Sequence, residues 1–142
     1  MYQYKATITR IIDGDTVDCD IDLGFKVILA KQRIRLYGMD TPESRTRDKV
    51  EKKYGLLAKK FLVEFIEAED YKITIETSKS GRGKFGRILG KLMNADGVCV
   101  NDLMCEVGHA VPYFGQSKAD IAAAHIENRE KVKKLSDGTL LR

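Results

Sequence analysis

A chain of 142 residues is long enough for one domain with a sizeable hydrophobic core, and its 43% apolar and 32% charged residues are typical of a soluble globular protein. Its 25 basic and 21 acidic residues leave a formal net charge of only +4, which is a mild bias towards polyanionic partners. No apolar run is long enough to span a membrane and no secretory signal is recognisable, so we expect a cytoplasmic protein without membrane contacts.

The first part of the chain alternates apolar and polar residues as β-strands do. Residues 4–12 form the first predicted strand, and the Asp-Gly-Asp segment at 13–15 is a strong signal for a tight turn. Two more strands are predicted at 17–23 and 26–37. The third strand is expected to end near Met39, because a proline follows three residues later and cannot continue the strand pairing.

Helical and strand patterns alternate over the rest of the chain. The polar segment 44–53 is predicted to be an exposed loop, and apolar residues at helical spacing predict a helix over 54–68. The next expected elements are a fourth strand at 71–75, a Gly-rich basic loop at 78–86, a fifth strand at 87–93 and a hairpin turn at 94–97 into 98–100. A short helix at 101–108, a last helix at 117–134 and a loose tail from 136 follow. The last helix is predicted to have an apolar stripe formed by Ala119, Ala122, Ala123 and Ile126. Five short strands, with helices after the third strand and at the end, indicate a small closed or partly closed antiparallel barrel rather than a βαβ sheet.

The cysteines and histidines form no recognisable metal or catalytic pattern. Cys19, Cys99 and Cys105 are an odd number without a Cys-x-x-Cys pair, and we expect buried or half-buried thiols in a reducing compartment. His109 and His125 lie at no zinc-ligand spacing from the cysteines or from each other. No triad partner is legible for either histidine, so both are predicted to be satisfied or surface side chains.

Charged side chains of both signs collect where the third strand ends. Arg33 and Arg35 are two residues apart, so both should leave the same face of the strand, and Asp40 and Glu43 follow within a few residues. A cation, two potential metal ligands and a possible base on one strand end suit phosphate chemistry. The alternative is a strand followed by a Thr-Pro turn with solvated charges.

A divalent cation site is a second hypothesis from the same region. The segment 13–16 is by itself most simply a turn. In a meander, however, the turn before strand two and the end of strand three lie at the same edge, so Asp15 and Asp40 could approach one another. Two carboxylates held together in a basic protein repel unless a cation lies between them, and hard oxygen ligands favour calcium or magnesium.

Residues 81–86 match the pattern G-x-G-x-x-G but do not predict a dinucleotide site. That fingerprint must open a helix, whereas a strand pattern follows here. The segment is either a flexible basic loop or a loop that delivers Lys84 and Arg87 to a phosphate. Tyr113 and Phe114 are likewise open to two interpretations, as core aromatics or as exposed platforms for base stacking.

Four segments taken together resemble the staphylococcal nuclease (thermonuclease) family. They are Ile12-Asp13-Gly14-Asp15-Thr16, Arg35-x4-Asp40-Thr41-Pro42-Glu43, Tyr54-Gly55 and Lys84-Phe85-Gly86-Arg87, and their order and spacing match from about residue 8 to about residue 134. The resemblance implies an α+β, mainly β fold: a five-stranded OB-fold barrel with three helices. It also implies one domain over 1–142, with its core at about 3–135 and a loose tail at 136–142.

The resemblance further implies a calcium-dependent endonuclease that hydrolyses phosphodiester bonds of DNA and RNA. It would act on single- or double-stranded substrates as a monomer, with little sequence preference, and would leave 3′-phosphate ends. Magnesium is the alternative ion. The alternative function is a non-catalytic OB-fold module that binds nucleic acid, which would need basic and aromatic side chains but not this arrangement of carboxylates.

Individual roles follow from the resemblance by position. Asp15 and Asp40 would hold the metal by their side chains and Thr41 by its carbonyl. Asp13 would lie outside the ligand shell. Glu43 would orient or deprotonate the attacking water, and Arg35 and Arg87 would bind the phosphate. The substrate-binding residues implied are Lys49, Lys84, Phe85, Tyr113 and Phe114, with Phe85 where the staphylococcal enzyme has a tyrosine.

Overall fold

Five strands of alternating residues close into a barrel in the computed structural model, which describes residues 2–82 and 88–136, with side chains for 2–77 and 88–133. The elements are, in chain order, β1 (Tyr2–Asp13), β2 (Thr16–Asp22), β3 (Ile28–Leu36), β4 (Met39–Asp40), α1 (Lys49–Glu67), β5 (Lys72–Arg82), β6 (Ile88–Met93), α2 (Val100–Val107), β7 (Val111–Pro112) and α3 (Lys118–Ser136). The barrel order is β1-β2-β3-β6-β5. The predicted five-stranded OB-fold barrel with three helices is confirmed.

The barrel is mixed rather than purely antiparallel. β1 pairs antiparallel with β2 and β5, β2 with β3, and β5 with β6. β3 and β6 run parallel, with Ile34 opposite Ile88 and Leu36 opposite Gly90. A parallel pair needs a long crossover, and the segment through α1 and β5 provides it. The prediction of an antiparallel barrel was therefore wrong at this one pair, because strand direction there depends on how the barrel closes.

The core lies between the barrel interior and the inner faces of α1 and α2. Ile34 and Leu36 of β3 are fully buried, as are Leu62 and Ile66, one turn apart on α1, and Met104 of α2. Each fully buried side chain of this size contributes roughly 1.5–3 kcal/mol of hydrophobic stabilisation. The same packing fixes the end of β3, where the charged residues leave the barrel.

Helix α1 begins earlier than predicted. Asp48 caps it, because its Oδ1 accepts hydrogen bonds from the N–H groups of Val50 (3.0 Å) and Glu51 (3.1 Å). The helix therefore has 19 residues and includes Lys49. The prediction of an exposed loop over 44–53 was wrong from Lys49 onwards, and also at Ser44, which is buried.

Helix α3 packs through a different face from the predicted one. Ser117 Oγ accepts a hydrogen bond from the Asp120 N–H at 3.1 Å and so caps the start of the helix. The predicted apolar stripe is wrong, because Ala119, Ala122, Ala123 and Ile126 are all exposed. The face turned towards the protein is partly polar, since Asn128 Nδ2 donates to the Ala110 carbonyl at 3.1 Å. Its buried and half-buried residues are Ile121, Ala124, His125, Asn128, Arg129 and Val132.

Two short elements of the structure differ from the pattern predicted from the sequence. β4 and β7 form a small antiparallel sheet in which Asp40 pairs with Val111. The predicted turn at 94–97 leads only to an isolated bridge between Met93 and Cys99 rather than to a further strand. Neither element has enough residues to show a periodicity. No helix in the described part of the chain is long and apolar enough to cross a membrane.

The cysteines and His109 are packed in the protein as structural side chains rather than as parts of a functional site. All three cysteines are free thiols, buried at Cys19 and half-buried at Cys99 and Cys105, as predicted. Burial raises the pKa of the Cys19 thiol to about 12. The ring of His109 lies 5.0 Å from that of Phe61, and burial lowers the pKa of His109 to about 4. His109 is therefore neutral at pH 7.

Candidate active site

Three chain segments meet at one end of the barrel and enclose a polar pocket of about 270 Å³. They are the turn between β1 and β2, the end of β3, and the corner that follows β4. The Leu36 N–H donates to the Asp15 carbonyl at 2.8 Å, which fixes the first two segments together. We call this the acid pocket; its lining residues are Asp13, Asp15, Thr16, Arg35, Asp40, Thr41, Pro42 and Glu43.

Arg35 lies between the two carboxylates that the meander topology was expected to bring together. Its Nη2 is 3.5 Å from Asp15 Oδ2 and 3.7 Å from Asp40 Oδ1. Its Nη1 donates to the Leu36 carbonyl at 2.8 Å, which fixes the guanidinium against the strand that carries it. The side chain is 19% exposed, so the cation is shielded from solvent but open to the pocket.

Asp13 connects two segments of the pocket wall through hydrogen bonds. Its Oδ1 accepts hydrogen bonds from the Gly14 N–H at 2.9 Å and from the Ser44 hydroxyl at 2.8 Å. These bonds join the first turn to the segment after Pro42. Ser44 was missed from the sequence because a serine in a polar segment gives no signal for a contact 31 residues away.

Glu43 projects from a corner that α1 holds in place. The Glu43 backbone N–H donates to Glu51 Oε2 at 3.0 Å. Burial raises the pKa of the Glu43 carboxyl, and the negative charges of Asp15, Asp13 and Asp40 raise it further. A carboxylate whose pKa is raised is a stronger base than a fully solvated one.

Gly55 allows α1 to approach the Glu43 corner. A Cβ on Gly55 would lie 2.6 Å from the carbonyl carbon and oxygen of Glu43 and 2.7 Å from the Pro42 carbonyl oxygen. All three are backbone atoms, which cannot move away as a flexible side chain would. The Tyr-Gly pair noted in the sequence is thus explained by close packing.

We expect Gly55→Ala to destabilise the fold, although alanine normally stabilises a helix interior by about 1 kcal/mol relative to glycine. The added methyl group must displace the helix or the corner, so a net loss of about 1–3 kcal/mol is expected. Urea denaturation measures this loss. Lys60→Ala, on the exposed face of the same helix, is the control and should change stability by less than about 0.5 kcal/mol. A Gly55→Ala protein as stable as the parent would contradict the close approach.

The acid pocket has a surplus of negative charge that suits a divalent cation. In the described part of the chain its lining includes four carboxylates and one guanidinium, those of Asp13, Asp15, Asp40, Glu43 and Arg35. Within that same part, no three His, Cys, Asp or Glu side chains are arranged to hold an ion. Carboxylates from the first turn and from β4, with a backbone carbonyl and water or substrate oxygens, are nevertheless ligands that calcium and magnesium accept.

A larger groove of about 1,030 Å³ adjoins the acid pocket and shares four lining residues with it: Arg35, Asp40, Thr41 and Glu43. Tyr113 and Phe114 both line the groove and are 48% and 81% exposed, so they are not core aromatics. The loop that carries them is tied to the neighbouring sheet, since the Tyr113 N–H donates to the Gly38 carbonyl at 2.9 Å. Both rings are available to a ligand in the groove.

Lys49, which is also predicted to bind substrate, lines neither the acid pocket nor the groove beside it. Lys49 lies at the start of α1 and lines a shallow basic groove on that helix rather than the acid pocket. Lys84, Phe85 and Arg87 lie outside the residues whose positions are described. Of the site residues predicted from the sequence, the structure brings together at the acid pocket Asp13, Asp15, Arg35, Asp40, Thr41 and Glu43. Tyr113 and Phe114 lie beside them in the groove.

His125 lines the larger groove and was not identified as a site residue from the sequence. Its Nε2 lies 2.8 Å from Asp40 Oδ2, and its side chain is 12% exposed. The sequence predicted a satisfied or surface histidine, and the structure pairs the ring with Asp40, a partner that the sequence did not identify. Because the two residues are 85 positions apart, no local pattern relates them.

Comparison with known proteins agrees with this architecture. The family model described as "Staphylococcal nuclease homologue" matches residues 33–136. The chain is 26% identical to endonuclease YhcR of Bacillus subtilis, in a match that covers 79% of this chain but only 9% of that protein. It is 28% identical to an uncharacterized endonuclease of Escherichia coli, in a match that covers 89% of this chain and 72% of that protein. It is also 29% identical to the thermonuclease of Staphylococcus intermedius, over 63% of its own length and 48% of that protein. With the barrel, the acid pocket and a family match over most of its length, the chain belongs to the staphylococcal nuclease homologue family.

Proposed function

We propose that this protein is a calcium-dependent endonuclease that hydrolyses phosphodiester bonds of DNA and RNA with little sequence preference. The observation that carries the proposal is the acid pocket, in which Arg35 lies between Asp15 and Asp40 with Glu43 at the adjoining corner. Membership of the family supports a nuclease, as do the endonuclease and thermonuclease names of the relatives. A cytoplasmic location and a monomeric state stay predictions.

Arg35 would stabilise the charge that develops during phosphodiester cleavage. Attack on the phosphorus places negative charge on the equatorial oxygens, and a guanidinium held in advance stabilises that charge without reorganising. Arginine suits this task because its planar fork stays charged and can donate two parallel hydrogen bonds. A phosphate could take up the Arg35 hydrogen bonds from the groove side, where the pocket and groove join.

Glu43 would accept the proton of the attacking water. Its raised pKa makes it a stronger base than a solvated glutamate, and its backbone is held by Glu51 so that the carboxylate stays at the pocket. Asp15, Asp40 and the Thr41 carbonyl would hold the calcium ion. When bound, that ion would supply Lewis-acid stabilisation of the phosphate oxygens.

The groove beside the pocket would receive the nucleotide chain. Tyr113 and Phe114 offer faces on which bases of any sequence can stack, which fits low sequence preference. Lys49 would contact a neighbouring phosphate from the start of α1. By resemblance, Arg87 would be the second phosphate fork, Lys84 a further phosphate contact and Phe85 part of the same substrate loop.

Digestion of plasmid DNA and of RNA with calcium, with magnesium or with a chelator tests the proposal. We expect cleavage with calcium, loss of cleavage with the chelator, and products that carry 3′-phosphate and 5′-hydroxyl ends. Binding that weakens steeply with salt but gives no cleavage with either ion would instead indicate a non-catalytic nucleic-acid-binding module. If the protein bound its partner with an affinity that did not depend on salt, that partner would instead be another protein.

We expect Glu43→Gln to lower kcat by about 100-fold while calcium and nucleotide affinities stay near those of the parent. Glutamine keeps the shape of the side chain but cannot accept the proton. Glu64→Gln, on an exposed position of α1, is the matched control with the same change of charge. Loss of calcium binding in the Glu43 variant would make Glu43 a metal ligand rather than a base.

A further inference from the structure

His125 connects helix α3 to the acid pocket through one short contact. Its Nε2 lies 2.8 Å from Asp40 Oδ2, which is within hydrogen-bond distance. Asp40 is also close to Arg35, through its other oxygen, Oδ1, at 3.7 Å. The two oxygens of this carboxylate therefore have different surroundings: one faces the helix and one faces the pocket.

The hydrogen-bond roles in this contact follow from the partners. A carboxylate beside a guanidinium is an acceptor only, so His125 must donate through an Nε2–H. His125 Nδ1 is buried without a hydrogen-bond partner. A ring with its proton on Nε2 leaves only a lone pair at Nδ1, which costs less than leaving a buried N–H unpaired. Both observations therefore select the same tautomer.

Neighbouring residues of α3 hold the helix that carries His125 against the protein. One turn further along α3, Asn128 Nδ2 donates to the Ala110 carbonyl at 3.1 Å, and the Arg129 guanidinium carbon lies 5.4 Å from the centre of the Tyr54 ring. Two turns along, Val132 is buried. α3 is thus fixed on the protein by contacts next to His125, so the backbone that carries the ring is held close to Asp40.

We propose that His125 is a positioning residue that holds Asp40 Oδ2 and so keeps Asp40 Oδ1 turned towards the acid pocket. This inference rests on the proposed function, in which Asp40 holds the calcium ion. A hydrogen bond from outside the ligand shell fixes the orientation of a ligating carboxylate, and removing such a bond typically weakens metal affinity by 10–100-fold. α3 would thereby determine how well the pocket binds its ion.

The test compares His125→Gln with His125→Leu. The glutamine amide can donate from nearly the same position as Nε2, whereas leucine fills space without a donor. We expect His125→Leu to weaken calcium binding to the nucleic-acid-free protein by about 10-fold or more, and His125→Gln to stay within about threefold of the parent. Calorimetric titration of the full chain with calcium chloride measures both. His109→Leu removes the other, buried histidine and should leave calcium affinity unchanged.

A second measurement on the parent protein does not depend on whether the variants fold. Nitrogen-15 spectra of the histidine rings should show His125 with its proton on Nε2, and adding calcium should shift that signal more than the His109 signal. A His125 ring with its proton only on Nδ1 would overturn the proposal, because Nε2 could not then donate to Asp40.

The outcomes also separate this inference from the proposed function. If the parent binds calcium and cleaves nucleic acid but both His125 variants bind calcium like the parent, the positioning role is wrong and the endonuclease proposal stands. Equal weakening in the glutamine and leucine variants would likewise overturn it, since packing alone would explain that result. A parent that neither binds calcium nor cleaves overturns both proposals.

Discussion

Replacing Arg35 by alanine should lower kcat for nucleic-acid cleavage by about 100- to 1,000-fold, equivalent to roughly 3–4 kcal/mol of transition-state stabilisation. The guanidinium is held at the pocket by the Leu36 carbonyl and by two carboxylates, so its donors need little reorganisation when charge develops on a phosphate. Arg35→Lys should lose most of the same activity, because lysine keeps the charge but not the fork. Steady-state kinetics at saturating calcium measures both variants.

Arg33→Ala is the matched control for Arg35→Ala. Arg33 lies two residues earlier on the same face of β3, but its guanidinium binds Asp18 at 2.7 and 3.0 Å, away from the acid pocket. We expect cleavage near the parent rate, because this ion pair is exposed, contributes little to stability and lies outside the pocket. Calcium affinity in Arg35→Ala should be kept or increased, because Asp15 and Asp40 lose a competing cation. Parent-like turnover in Arg35→Ala would contradict its catalytic role.

Replacing Asn101 by alanine should destabilise the fold by about 3 kcal/mol, the largest effect on stability that we expect from a single polar side chain. Its Oδ1 accepts from the Leu92 N–H at 3.2 Å, and its Nδ2 donates to the carbonyls of Tyr37 at 2.9 Å and Gly90 at 3.2 Å. The side chain is only 2% exposed, so alanine would leave the Leu92 N–H and the Tyr37 carbonyl without these partners away from water. Urea denaturation gives the free energy of unfolding.

Asp102→Ala is the control on the same helix. Asp102 is exposed and its nearest charged partner, the Lys91 ammonium, lies 3.9 Å away, so a change of less than about 1 kcal/mol is expected. Asn101 joins α2, β6 and the segment after β3, which leads into the acid pocket. A free energy of unfolding for Asn101→Ala within about 1 kcal/mol of the parent would show that water replaces these hydrogen bonds.

The positions of the pocket carboxylates could be anticipated because they depend on neighbouring strands. A tight turn at 13–15 and a strand ending near Met39 place Asp15 and Asp40 at one edge of a meander, and in the structure both side chains lie beside Arg35. The start of α1 could also have been read locally, since Asp48 is a favourable cap. The run of basic residues before Tyr54 obscures this start, because such a charged run is also typical of a solvated loop.

By itself the sequence determined the five strands, the three helices and the chemistry concentrated between Arg35 and Glu43, because alternation, helical spacing and turn residues act over a few neighbouring positions. The tertiary structure alone decided that β3 and β6 run parallel, which face of α3 packs, and that His125 reaches Asp40. These features join parts of the chain that are far apart. They depend on how the whole barrel closes and where the last helix then finds space, which no local pattern of residues records.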